Sequence, residues 1–168
     1  MASVIKVDTI QNATGTFEHA RLVQTVNVAD GAVATGTTVM PADNTIPQIT
    51  EGDQYMSLAI TPTHADNKLF IQVEWCGSSS TANEIWGALF QDSTANALAA
   101  SGTQDANNSQ MQILSFSHYM DAGTTSATTF RVRVGAGAAS TITFNGTAGA
   151  ARLGGVMASS ITISEIRE

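Results

Sequence analysis

Charged residues are scarce in this sequence, and basic residues are scarcer than acidic ones. Only 12% of the 168 residues are charged, with 7 Lys and Arg against 14 Asp and Glu, so the net charge is 7 − 14 = −7. The basic residues are scattered, and only Arg131 and Arg133 stand close together. Binding to nucleic acid requires clustered Lys and Arg that neutralise phosphates. The composition therefore argues against a nucleic-acid partner.

The sequence contains one cysteine, Cys76, and hence no pair that could form an internal disulfide. The fold does not depend on an oxidising compartment. A free cysteine is commonly a small buried hydrophobe, and the neighbouring Glu74 has the wrong charge to stabilise a reactive thiolate. We expect Cys76 to be buried and structural.

Long apolar runs are missing as well. No stretch approaches the length of a membrane-spanning helix, and the first ten residues, MASVIKVDTI, lack the apolar segment of a secretion signal. We therefore expect synthesis in the cytoplasm and no insertion into a membrane.

Proline is rare and confined to one stretch, since Pro41, Pro47 and Pro62 all lie within 25 residues of each other. Proline has no backbone N–H to donate to a sheet, so it marks strand edges and connections. Its fixed φ also lowers the entropy that an irregular connection loses on folding. We interpret this stretch as a stiff connection between two sheets, followed by one inner strand.

What the sequence does contain is alternation with a period of two. KLFIQVEW places Leu69, Ile71, Val73 and Trp75 on one face, and YMSLAI and TFRVRVG alternate in the same way. Turn residues separate about nine or ten such runs, and no window shows a convincing helical period. The pattern predicts an all-β protein, an antiparallel sandwich or barrel.

Two runs are apolar on both faces. In EIWGALFQ, Trp86 and Phe90 oppose a second apolar face, and in QMQILSFSHYM the same is true of Leu114 and Phe116. A sandwich buries only one face of a strand, so the other face needs a second cover. We expect these four residues to lie at a subunit interface. The alternative is a central strand roofed by loops of its own chain.

Residues 1–19 form a separate segment in the sequence. SVIKVDTI is strand-like, and NATGT supplies a break before the remaining chain, 20–168, which we expect to fold as one β-sandwich domain. An isolated strand cannot satisfy its own backbone or bury Val4, Ile5, Val7 and Ile10. We expect these four residues to belong to an arm that docks on another sheet or another chain.

Several stretches resemble a pattern that recurs in bacteriophage virion proteins, particularly small fibre, spike or head-surface domains. They are TGTT at 35–38, DNTIP at 43–47, EGDQYM at 51–56, LAITP at 58–62, ALFQD at 88–92 and NALA at 96–99. The opening SVIKVDTIQNATGT resembles the start of many phage appendage proteins. The resemblance covers the chain to about residue 100. It implies a jelly-roll-like sandwich, a homotrimer mounted on the virion surface, and an arm that contacts other capsid or tail proteins.

No arrangement of residues predicts catalysis, a metal site or a cofactor. His19, His64 and His118 stand far apart, and no phosphate-binding or nucleophile motif is present. The acid pairs Glu51 with Asp53 and Asp92 with Asp105 lie near turns, where carboxylates are usually solvated. Oxygen ligands for calcium occur near residues 43–44 and 105–108, but they form no complete loop pattern.

Contact with a sugar would use aromatic side chains, for which the candidates are Trp75, Trp86 and Tyr119. All three lie in strand-like runs, which favours a core or subunit interface for each of them. The sequence therefore predicts a non-enzymatic virion protein, either a capsid decoration or cement protein or an appendage knob. The alternative is a tail-fibre or spike tip that binds a host receptor or glycan.

Overall fold

The computed structural model describes residues 11–12, 15–16 and 21–167, and strands form nearly all of its regular structure. One 3-10 turn, Leu153–Gly155, is present in this part of the chain, and no helix there is long and apolar enough to cross a membrane. The strands are β1 Gln11–Asn12, β2 Gly15–Thr16, β3 Arg21–Asp30, β4 Ala34–Gly36, β5 Asp53–Ile60, β6 Lys68–Ser79, β7 Asn83–Gln91, β8 Ala99–Asp105, β9 Gln112–Asp121, β10 Thr128–Ala136, β11 Ile142–Phe144, β12 Gly146–Thr147, β13 Ala150–Ala151 and β14 Ser159–Arg167.

The eight longest of these strands form two antiparallel sheets. The first sheet has the order β3-β14-β6-β9, with the short β11 and β4 continuing it beside one end of β6, and the second has the order β5-β10-β7-β8. Along the chain the pairing is nested: β3 with β14, β5 with β10, β6 with β9, and β7 with β8. A long hairpin rolled into two sheets gives this pairing, which is the jelly roll. The expected all-β, jelly-roll-like sandwich is confirmed.

The core lies between the two sheets and follows the alternation of the sequence. From β6, the side chains of Leu69, Ile71, Val73 and Trp75 are all buried, while the residues between them face outward. β10, β14 and β5 contribute in the same way, with Phe130, Val132, Val134, Ile161, Ile163, Met56 and Ile60. Burial of this apolar area is the main favourable term in folding.

A second, smaller core lies on the outer face of the second sheet. There Met40, from the connection between β4 and β5, packs on Ala88 and Phe90 of β7, and Ile49 packs beside them. We call this connection, residues 37–52, the cover segment. Pro41 and Pro47 lie within it, in a connection between two sheets as predicted, but the strand that follows, β5, lies at the edge of its sheet and is not an inner strand.

Hydrogen bonds fix the cover segment to the sheet. The Met40 amide donates to the Ala136 carbonyl at 3.0 Å. The guanidinium of Arg133 donates to the carbonyls of Glu51 and Gly52 at 2.9 and 2.6 Å. The backbone of the cover segment therefore has the partners that a buried connection requires.

The carboxylate of Glu165, near the end of β14, faces inward and is fully buried. It accepts hydrogen bonds from the Asn67 and Gln24 side-chain amides at 2.5 and 2.6 Å, and from the Thr63 amide and hydroxyl at 2.8 Å. Burial by itself raises the pKa of Glu165, but the bonds from Asn67, Gln24 and Thr63 outweigh burial and lower the pKa to about 2. Glu165 thereby ties the β5–β6 connection to the end of the first sheet.

The lowered pKa makes Glu165 a source of acid-sensitive stability. Its contribution is fully present above its ordinary pKa of 4.5 and is lost as the pH falls towards about 2. At about 1.4 kcal/mol per pKa unit, the free energy of unfolding should fall by about 3 kcal/mol across this range. We expect Glu165→Gln to remove that part of the pH dependence, measured by denaturant unfolding between pH 7 and pH 2.

The exposed Glu74, which has no hydrogen-bond partner among the described residues, supplies the matched control. Glu74→Gln should leave the acid dependence of the parent protein in place. Parallel pH curves for the parent and Glu165→Gln would contradict the role given to Glu165.

Candidate functional site

The four residues expected at a subunit interface do not share one surface. Phe90 is fully buried under the cover segment, and Leu114 is fully buried in the core between the sheets. Leu114 and Phe116 both point inward towards Gly87 of β7. The side chain of Leu114 packs so closely on Gly87 that a Cβ added there would lie only 2.9 Å from it. The chain itself therefore covers Phe90 and Leu114. For Phe90 the cover is a connection of the same chain, which was the alternative to a subunit interface.

Trp86 lies on the same outer face as Phe90 but is only partly buried. Its ring packs directly on Gly102 of β8, because a Cβ at Gly102 would lie 2.2 Å from Trp86 Cζ3. Its indole Nε1 is buried and has no hydrogen-bond partner in the described part of the chain. The residues of the predicted arm, Val4, Ile5, Val7 and Ile10, lie outside the described residues.

The outer face of the first sheet is polar, and the strand register arranges its side chains in rows. Each row crosses β3, β14, β6 and β9 in that order. The rows are Thr25–Ser164–Phe70–Tyr119, then Asn27–Thr162–Gln72–Ser117, then Ala29–Ser160–Glu74–Ser115. We call this surface the polar face.

The middle of the polar face contains a groove of about 340 Å³. Short side chains border it on both sides, and Gln72 and Glu74 lie along its floor strand β6. Gln72, Glu74, Ser115 and Ser117 are all exposed. None of these four side chains has a hydrogen-bond partner among the described residues, so their donors and acceptors are available to a ligand.

An aromatic pair stands at one end of this groove. Phe70 and Tyr119 lie opposite each other on β6 and β9, with ring centroids 6.3 Å apart and planes tilted by 55°. Tyr119 is 49% exposed. Beyond the pair, Lys68 forms an ion pair with Asp121. Tyr119 is thus the most exposed of the three sugar-contact candidates, since Trp86 is partly buried and Trp75 is fully buried in the core.

An apolar hollow of about 320 Å³ adjoins the other end of the polar face. Met111, Ile113, Val156 and Met157 line it, and Glu74 lines both the hollow and the groove. Ile113 is 73% exposed and Val156 is 85% exposed. Large apolar side chains that cluster on a surface commonly mark a binding site or a subunit contact.

Two residues with nucleophilic side chains, Cys76 and Ser159, lie near this hollow and hydrogen-bond to Asn145. Cys76 is buried, as expected, and its thiol donates to Asn145 Oδ1 at 3.2 Å. The hydroxyl of Ser159 donates to the same oxygen at 2.8 Å, and the Asn145 amide donates to the carbonyl of Ala32 at 3.0 Å. Within the described part of the chain, no histidine or carboxylate side chain forms a hydrogen bond with this group, and its bonds join the start of β14 to the loop after β3.

The carboxylates considered for chemistry also bind their own chain. Glu51 accepts from the Gln48 amide at 2.9 Å, and Asp53 accepts from the Thr38 amide at 2.9 Å. Asp92 accepts from the Thr129 amide at 2.8 Å, and the buried Asp105 accepts from the Ser79 amide at 3.1 Å. Across residues 21–167 and the two short N-terminal strands, no group of three His, Cys, Asp or Glu side chains is placed to hold a metal ion.

The two histidines that the structure describes, His64 and His118, lie in different elements. His64 lies in a turn, where its Nδ1 is 3.5 Å from the carboxylate of Asp66. His118 is partly buried on β9, and this burial lowers its pKa. His19 falls outside the described residues.

Comparison with known proteins yields structural likeness at low identity. No family model and no curated protein matches the chain. Among solved structures, it is similar to a CBM4 structure, with 14% identity, 87% of this chain and 77% of that chain covered, and a TM-score of 0.42. A CBM36-1 domain of a multidomain xylanase from the hindgut metagenome of Trinervitermes trinervoides matches with 12% identity, coverage of 83% and 96%, and a TM-score of 0.42. A structure of infectious bursal disease virus, Gt strain, matches with 10% identity, coverage of 98% and 42%, and a TM-score of 0.41. Likeness at this level carries no argument about function.

Proposed function

We propose that this chain is a non-enzymatic structural protein on the surface of a bacteriophage particle, a homotrimer that serves as a capsid decoration or an appendage knob. The resemblance of residues 35–62 and 88–99 to phage virion proteins supports the setting. The observation that carries the proposed self-association is the apolar hollow lined by Ile113 and Val156.

The argument for self-association starts from which faces the chain covers by itself. The cover segment already packs on Ala88 and Phe90 on the outer face of the second sheet, and the pocket that remains there beside Trp86 is about 190 Å³. Ile113 and Val156 stay exposed at the end of the first sheet. If a second copy covered both side chains, the association would be stabilised by about 25 cal/mol for each Å² of apolar surface removed from water. A head-to-tail contact between this hollow and a different surface of the next copy closes into a ring of three when successive copies are related by a third of a full turn.

The N-terminal arm is proposed to hold this trimer on the particle. Its Val4, Ile5, Val7 and Ile10 would pack on a capsid or tail protein, and its backbone would pair with a sheet edge there. The two surfaces therefore have different proposed roles: the hollow joins copies to each other, and the arm joins the trimer to the virion.

The oligomer is tested by removing the apolar side chains of the hollow. Ile113→Ser with Val156→Ser should convert a trimer into monomers, because the double substitution removes the apolar side chains of the proposed contact. Both side chains are largely exposed in one copy, so the substitutions should change its folding stability little. Native mass spectrometry at micromolar concentration measures the change. Leu22→Ser, at the far end of the first sheet and 61% exposed, is the matched control and should leave the trimer intact. A parent protein that is monomeric would contradict the proposal.

The virion role is tested on phage particles that lack this protein. Adding the purified chain should restore their resistance to heat, measured as surviving infectivity after a fixed exposure. Replacing Val4, Ile5, Val7 and Ile10 by Ser should abolish binding to the particles without changing thermal unfolding. Replacing Lys6 and Asp8 by Ser in the same arm is the control and should bind. If the purified parent chain does not bind the deficient particles, a structural role on the virion is ruled out.

A further inference from the structure

We propose that the polar face of the first sheet binds a neutral oligosaccharide along the groove between Tyr119 and Glu74. This inference does not depend on the proposed trimer or on the virion, because each copy carries the whole groove. The residues that form it come from β6, β9 and β14 of a single chain.

The dimensions of the face suit an extended sugar chain. Its three rows are two residues apart along each strand, so they span about 13 Å at about 3.3 Å per residue. Neighbouring strands add about 4.8 Å each across the face. The groove volume of about 340 Å³ lies at the lower end of the range for ligand sites, about 300–1,000 Å³. These dimensions correspond to a di- or trisaccharide.

Hydrogen-bonding chemistry favours a ligand that is rich in hydroxyl groups. Gln72 offers both donors and acceptors, Glu74 offers acceptors, and Ser115 and Ser117 offer both, all without partners among the described residues. Covering this surface with an apolar partner would leave these groups buried and unsatisfied, at a cost of about 1–3 kcal/mol each. Sugar hydroxyls donate and accept in many directions and can satisfy such a mixed set.

Aromatic and steric features complete the site. The exposed ring of Tyr119, supported by Phe70, supplies an apolar surface at the groove end on which the C–H face of a pyranose can lie. The serine hydroxyls beside Gln72 are short, and they leave room for the ligand next to the long side chains of β6.

Electrostatics selects a neutral sugar. Glu74 is the charged group that lines the groove, and the chain as a whole carries a net charge of −7. The nearest cation on this face, Lys68, is in an ion pair with Asp121. A sulfated or carboxylated glycan would therefore meet repulsion from Glu74, and no Lys or Arg among the described residues lines the groove to offset it.

The test is affinity electrophoresis of the full chain through native gels that contain dextran, xylan, glucomannan or laminarin. At least one of these neutral polysaccharides should retard the protein, and dextran sulfate should not. Gln72→Ala should weaken the retarding interaction by about threefold to tenfold, the factor for one ordinary hydrogen bond. Tyr119→Ala should weaken it by about tenfold through loss of the ring surface.

Gln54→Ala is the matched control, because Gln54 is an exposed glutamine on β5 of the other sheet. It should bind as the parent does, and thermal unfolding of all three variants should stay near the parent value. The proposal is overturned if none of the four neutral polysaccharides retards the parent. It is equally overturned if either face variant binds like the parent, if Gln54→Ala weakens binding as much, or if dextran sulfate binds as tightly as the neutral chains.

Discussion

Each sheet of a sandwich buries one face in the core, and what meets the other face decides how the rest of this molecule is organised. On the second sheet the outer face carries Phe90 and Trp86, which are too apolar to be left in water. The chain covers Phe90 with the segment that holds Met40 and two of the three prolines. The first sheet has no such cover among the described residues, and its outer positions are accordingly mostly Ser, Thr, Asn, Gln and Glu, with Phe70 and Tyr119 as an aromatic pair among them.

Several of the few charged side chains form hydrogen bonds with the backbone of the connections between strands. Glu165, Asp53, Asp92 and Asp105 each accept hydrogen bonds from backbone amides of a loop or strand end. Arg133 does the reverse for the carbonyls of the cover segment. Many of the few charged side chains therefore satisfy backbone groups in irregular segments, where neither ladder partners nor water are fully available. Hydroxyl and amide side chains then make up much of the remaining surface.

The strands were predictable from sequence because their signal is local. Alternation in KLFIQVEW and TFRVRVG marks the buried faces of β6 and β10 correctly, since side-chain direction repeats every two residues. The partner of an apolar face is set by distant residues instead. Nothing near Phe90 in the sequence indicates that Met40, fifty positions earlier, covers it. Likewise, Ile113 and Leu114 are equally apolar neighbours, and only pairing of β9 with β6 decides that Leu114 points inward.

The same register explains why the two candidate surfaces adjoin and have Glu74 in common. Ile113 lies one row beyond Glu74 on the outward side of the sheet, so the apolar hollow begins where the polar groove ends. A contact between copies that buried Ile113 would leave the rows of Gln72 and Phe70 pointing to solvent. In the proposed trimer, three such grooves would bind one polysaccharide together, and their effective concentration would raise the overall affinity above that of one groove. The polarity of the middle row is consistent with this arrangement, because a face meant to be buried between copies would not keep Gln72 and Ser117 without hydrogen-bond partners among the described residues.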